Sequence, residues 1–248
     1  AASGREPFTH RIIVSTTDKW SKNAEKMLEE QRFPVQRMGL QNFRDSNIDW
    51  STYSLDDPSE QQVGHKPHKE LREHQDRAIT NTLIGLQEND RGQLIMACGT
   101  GKTFTAIRLA EKFAEQNGGH ARVLFMVPSL ALMSQSISEF SNEIEGPFHA
   151  YAVCSDSKVG RERKRGGANA DLADLRVEDL QLPATTDGAE LAKAMNANPL
   201  DEGLEVVFST YHSIDAVSAA QDAGVGDFDL IICDEAHRTT CVTLADES

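Results

Sequence analysis

The sequence predicts an α/β fold with a mostly parallel sheet wound by helices on both faces. Three observations carry this. Continuous apolar runs recur at 122–127, 205–209 and 228–233, the pattern of strands covered on both sides. Stretches with helical spacing separate them in β-α-β-α-β order. A glycine-containing turn, Cys98-Gly99-Thr100-Gly101-Lys102-Thr103, joins an apolar run to a helical stretch, the place where such sheets bind ligands.

Taken in order, residues 11–17 are β-branched and read as a strand. Asp18 is positioned to cap a helix over 19–31, with Trp20, Ala24, Met27 and Leu28 as its apolar stripe. Residues 34–38 read as extended. This β-α-β piece is too small to fold alone, so 1–43 reads as the closing part of a fold that begins upstream. Residues 44–67 are polar and turn-rich and read as a linker, with Ile48, Trp50, Tyr53 and Leu55 pinning it to a neighbouring surface. Residues 68–248 form the main α/β unit.

That unit opens with a helix over 68–87, with Leu71, Ala78, Ile79, Leu83 and Leu86 on one face. Gln75 on it can pair in a bidentate way with an adenine edge, and Arg72 can stack on or bond the same base. The competing reading is a solvated helix face. Residues 93–97 read as a buried strand and 103–113 as a helix. Strand 122–127 is stopped by Pro128, a helix follows over 130–144, and a strand over 148–154. Residues 155–203 break the rhythm. Their basic cluster Arg161-Glu162-Arg163-Lys164-Arg165 reads first as a solvated insertion and second as a phosphate-contacting loop. A short helix is expected over 189–196, a strand over 205–209, a helix over 213–223 and a last strand over 228–233, ending in Asp234-Glu235-Ala236-His237.

The chemistry sits at two places. Glycines at 99 and 101 allow backbone N–H groups to wrap a phosphate, and the following helix N-terminus adds donors and a positive dipole end. Lys102 would reach β/γ-phosphates and the Thr103 hydroxyl would ligate Mg²⁺. Met96 departs from the general pattern, which wants glycine there; a chance turn is the bland alternative. Asp234, at a strand's carboxyl end, would hold Mg²⁺ through water, and Glu235 would orient or deprotonate an attacking water. Together, on an α/β pattern, the two places argue for a nucleotide hydrolase.

Composition narrows the classes. Net charge is 25 − 39 = −14, which argues against a basic nucleic-acid coat, although a local positive track suffices for binding. No run of 18 apolar residues exists, so no membrane span is expected. The four cysteines, Cys98, Cys154, Cys233 and Cys241, show no zinc spacing and read as reduced, buried thiols. The N-terminus has neither a starting Met nor a signal-peptide core.

Met96 to Thr103 with Asp234-Glu235-Ala236-His237 resembles motifs I and II of superfamily-two, DEAH-type helicases and translocases, which tolerate a non-glycine at the position of Met96. Leu71-Arg72-x-His74-Gln75 resembles their adenine-reading motif, Val127-Pro128-Ser129 their motif Ia, and Phe208-Ser209-Thr210-Tyr211 their motif Ib. The resemblance implies a RecA-like P-loop NTPase domain using ATP and Mg²⁺. Arg72, Gln75, Cys98, Gly99, Thr100, Gly101, Lys102 and Thr103 would bind ATP, with Thr103 and Asp234 on the metal. Lys102, Asp234, Glu235 and His237 would be catalytic, His237 by coupling the site to the rest of the motor. Pro128, Ser129, Ser209, Thr210 and Tyr211 would contact nucleic acid.

Residues 207–214 and 234–240 look more specifically like the motor of type ISP restriction-modification enzymes. There an Mrr-like nuclease precedes the motor and a methyltransferase follows. Residues 11–43 resemble the end of that nuclease, and Ile48-Asp49-Trp50 its join to the motor. This implies duplex DNA, a second RecA-like domain, and nuclease and methyltransferase domains as partners, in a prokaryotic cytoplasm. Nuclease carboxylates would lie before Ala1, so no cutting is expected. The motif III strand and the second lobe's arginine finger are missing, and such a finger contributes about 10³–10⁵ in rate. The stretch alone is therefore expected to bind ATP with little turnover. Two alternatives stay open: a general superfamily-two helicase on DNA or RNA, and a P-loop switch without nucleic acid.

Overall fold

The computed structural model describes residues 11–17, 19–29, 35–53, 64–154, 180 and 182–236. Strands β1 (Arg11–Val14) and β2 (Val35–Met38) pair in parallel around helix α1 (Lys22–Glu29). The helix starts later than its spacing predicts because Ser21 Oγ accepts from Ala24 N–H at 3.2 Å, taking the capping role; Asp18 lies outside the described residues. The Arg37 guanidinium covers the Trp20 ring at 5.6 Å.

The stretch read as a linker is fastened down over its described parts. It begins inside a short helix, α2 (Leu40–Asp45), and continues through a 3-10 turn, Trp50–Thr52. Trp50 Nε1 donates to the Phe43 carbonyl at 2.7 Å, and Ile48 bridges His65 in antiparallel fashion. Lys66 Nζ donates to the carbonyls of Arg44 and Ser46. Leu55 lies outside the described residues.

The larger unit runs α3 (Glu73–Glu88), α4 (Lys102–Gln116), β3 (His120–Val127), α5 (Leu130–Glu143), β4 (Phe148–Val153), β5 (Ala184–Thr185), α6 (Gly188–Ala197), β6 (Gly203–Thr210), a 3-10 turn (Tyr211–Ser213), α7 (Ile214–Asp222) and β7 (Leu230–Cys233). Its sheet is parallel throughout, in the order β5-β4-β6-β3-β7. Alternation along β3 and β6 divides the core. Val123, Phe125, Val206 and Phe208 meet Ile107 of α4 and Met133, Ile137 and Phe140 of α5. Leu124, Met126 and Val207 meet Leu191 and Met195 of α6 and Val217 of α7. Helix α3 packs on α4 through Ile79, Leu83 and Leu109. Among the described residues no helix is long and apolar enough to cross a membrane.

Two expectations fail here. Residues 93–97 form no strand, and Leu94 and Ile95 are 43% and 83% exposed. An apolar run becomes a strand only beside another strand's free hydrogen-bonding edge, and among the described residues the run pairs with none. Helix α3 begins at Glu73 rather than 68 because Gln75 Oε1 accepts from Arg72 N–H at 2.9 Å, closing the first turn there.

One charged pair lies inside the sheet. Arg122 and Glu205 are cross-strand partners on β3 and β6, Nε to Oε2 2.6 Å, and the Glu205 side chain is 2% exposed. Removing Arg122 strands a buried carboxylate. Arg122→Ala is expected to cost about 3 kcal/mol in urea unfolding; a loss under about 1 kcal/mol would contradict a desolvated pair.

Candidate nucleotide site

The phosphate-loop turn is built by its own backbone and by α3. Thr100 Oγ1 and N–H both donate to the Ala97 carbonyl, at 2.7 and 3.4 Å. Gly99 and Gly101 have φ of +74° and +82°, where a side chain is strained. A Cβ on Gly101 would lie 2.6 Å from Gln75 Nε2, whereas one on Gly99 meets nothing within 4 Å. The outer side of the turn is thus open to a phosphate and the inner side is filled by Gln75.

Gln75 is buried, and both of its amide functions are engaged. Oε1 accepts from Arg72, and Nε2 donates to the Thr100 carbonyl at 2.9 Å. One N–H and one lone pair remain for a base. His74 Nε2 also lies 3.4 Å from the Thr100 carbonyl, a contact the sequence reading missed. Arg72 and Cys98 are exposed, and Lys102 and Thr103 begin α4 partly buried.

The acidic strand end meets this loop. Lys102 Nζ and Glu235 Oε1 are 2.6 Å apart, 133 residues apart in sequence. The bond from Glu235 raises the Lys102 ammonium above its usual range, against the pull of burial. Burial raises the Asp234 carboxyl. Asp234 is gripped at every polar group: its N–H donates to the Met126 carbonyl at 2.8 Å, its carbonyl accepts from Tyr211 Oη at 2.8 Å, and its Oδ1 accepts from Glu235 N–H at 3.0 Å. Glu235 has φ +51°, among the described residues the one non-glycine in the left-handed region, a strained conformation of the kind kept at functional sites. His237 lies outside the described residues, as does the 161–165 basic cluster.

The residues expected to touch nucleic acid line up at adjoining strand ends. Thr210 pairs with Val127 across β6 and β3, next to Pro128 and Ser129. Their hydroxyls are engaged, however. Ser129 Oγ caps α5, Ser209 Oγ donates to the Thr210 carbonyl, and Thr210 Oγ1 bonds Ser213 Oγ. Ser209 and Thr210 are buried, main chain included, whereas Pro128, Ser129 and Tyr211 are half-buried. Cys154 is a buried thiol outside any disulfide, as expected, but Cys98 and Cys233 are exposed, Cys98 in the turn of the phosphate loop and Cys233 at the end of edge strand β7; Cys241 lies outside the described residues.

Comparison with known proteins adds two family matches: "Type III restriction enzyme, res subunit" over residues 68–243, and "Restriction endonuclease" over 1–60. A probable helicase of African swine fever virus (isolate Tick/Malawi/Lil 20-1/1983) is 27% identical over 169 residues, 68% of this chain and 16% of the helicase. Among solved structures, the ATP-dependent type ISP restriction-modification enzyme LlaBIII, bound to DNA, is 36% identical with a TM-score of 0.83. The match covers 98% of this chain and 15% of LlaBIII. A nuclease-deletion mutant of the type ISP enzyme LlaGI, in complex with a DNA substrate mimic, is 37% identical with a TM-score of 0.55, over 68% of this chain and 15% of LlaGI. The chain thus spans about one-sixth of the length of these relatives.

Proposed function

Because the chain belongs to the type III restriction enzyme res subunit family, we propose that it is the first, nucleotide-binding lobe of an ATP-driven motor that moves along duplex DNA. One observation carries the reading: the 2.6 Å contact between Lys102 and Glu235 joins the phosphate loop to the acidic strand end. A phosphate-binding cation and a carboxylate able to activate water stand side by side, as phosphoryl transfer to water requires.

The residues fit ATP and Mg²⁺. The open side of Gly99 and the N-terminus of α4 cradle phosphates. Lys102 leaves Glu235 for the β/γ-phosphates, and Glu235 is then free to accept a proton from water. Thr103 and Asp234 would hold the metal, which when bound offsets charge on the phosphates. Gln75 steadies the loop and keeps one donor and one acceptor for adenine, beside Arg72. His237 would couple the site to the partner lobe. The half-buried Pro128, Ser129 and Tyr211, backed by Ser209 and Thr210 beneath them, would follow the DNA backbone without reading bases. A second RecA-like lobe, a nuclease and a methyltransferase are the proposed partners, in the cytoplasm.

ATP hydrolysis by the full-length protein tests this. Duplex DNA is expected to raise turnover about tenfold or more. Stimulation by RNA but not duplex would favour a general helicase, and no stimulation by duplex, single-stranded DNA or RNA would overturn the motor reading.

A further inference from the structure

The Tyr211 phenol does not face outward toward a ligand. Its hydroxyl donates to the Asp234 carbonyl at 2.8 Å. Tyr211 follows the carboxyl end of β6 and Asp234 follows that of β7, and β3 lies between these strands. The ring therefore spans the end of β3, just before Pro128.

The bond falls on a sensitive peptide. The Asp234 carbonyl belongs to the same peptide unit as the Glu235 N–H, and the rotation following it is the +51° φ of Glu235. That N–H closes onto Asp234 Oδ1 at 3.0 Å, and the Glu235 carboxylate reaches Lys102. Without the phenol, the peptide loses the bond on its carbonyl side, while its N–H is bonded to the Asp234 side chain, the group proposed to bind metal. Relaxation of the strained φ would turn the Glu235 carboxylate away from the phosphate loop.

We propose that Tyr211 is a positioning residue for hydrolysis: its hydroxyl fixes the 234–235 peptide and so aims Glu235. This rests on the reading of Glu235 as the water-activating group. It also gives the segment expected to meet DNA a direct mechanical link to the site.

Tyr211→Phe in the full-length protein removes the hydroxyl alone. Turnover is expected to fall about 10- to 100-fold, with and without duplex DNA. Affinities for a fluorescent ATP analogue and for duplex DNA should stay within about twofold. Turnover is counted per nucleotide site titrated with the analogue, so any unfolded fraction drops out. Unchanged turnover per site overturns the inference, as does a loss confined to DNA affinity, which would make Tyr211 a direct DNA contact. If the wild-type protein hydrolyses ATP without DNA stimulation, the motor reading fails while the DNA-free comparison still tests Tyr211.

Discussion

Glu235→Gln is expected to lower ATP turnover by about 10²–10⁴, the usual contribution of a positioned general base, while nucleotide binding is kept or tightened. The two effects part because Glu235 has two roles. It neutralises Lys102 at 2.6 Å. An entering phosphate must displace it, and an amide competes less well for the ammonium than a carboxylate. The pair is partly exposed, 33% for Lys102 and 24% for Glu235, so its rupture costs no more than about 1 kcal/mol. The gain in affinity is therefore limited to about fivefold. Steady-state hydrolysis by the full-length variant, beside titration with a fluorescent ATP analogue, measures both. Turnover within about threefold of wild type would remove Glu235 from the chemistry.

Lys102→Ala should abolish both binding and turnover. Loss of one preorganised charge on the reacting group costs about 10²–10³ in rate, and here the same charge also holds the ground state. A thermal shift separates this from misfolding. At 100 times the dissociation constant, a ligand adds about 2.7 kcal/mol, or about 5–10 °C for a domain of this size. Wild type should show that rise with a non-hydrolysable ATP analogue and the variant should not, while their melting temperatures without ligand stay close. An equal rise in both would show that the nucleotide sits elsewhere.

Most of the larger unit was legible because its strands are buried on both faces, and burial writes itself into composition. The runs at 122–127 and 205–209 lie within β3 and β6. The two halves of the candidate site were legible for a different reason: a Gly-x-Gly-Lys turn opening a helix and an Asp-Glu pair at a strand end have few other uses. What was not legible depends on partners distant in sequence. The run at 93–97 has the composition of a strand, but composition does not supply the neighbouring edge. Gln75 has the chemistry to read a base, yet its bonds to Arg72 and Thr100 depend on how α3 docks against the loop. The left-handed backbone of Glu235 carries no sequence signal, since such conformations are read from glycine or asparagine. Likewise the stretch around 44–53 looks like a tether because its hydrogen bonds run through main chain, which any polar sequence provides.

Asn142 gives that stretch a further meaning. Its Nδ2 donates to the Asp45 carbonyl at 2.8 Å and its Oδ1 accepts from Asn47 N–H at 3.1 Å. The next residue, Glu143, accepts from Lys69 N–H and pairs with its ammonium. All of this happens at the far end of α5, whose near end is Ser129. A 14-residue helix is roughly 21 Å long at 1.5 Å per residue and stiff along its axis. It therefore holds the segment at 45–47 and the chain leading into Gln75 at one end and Pro128–Ser129 at the other, so that three stretches distant in sequence are fastened to one stiff element.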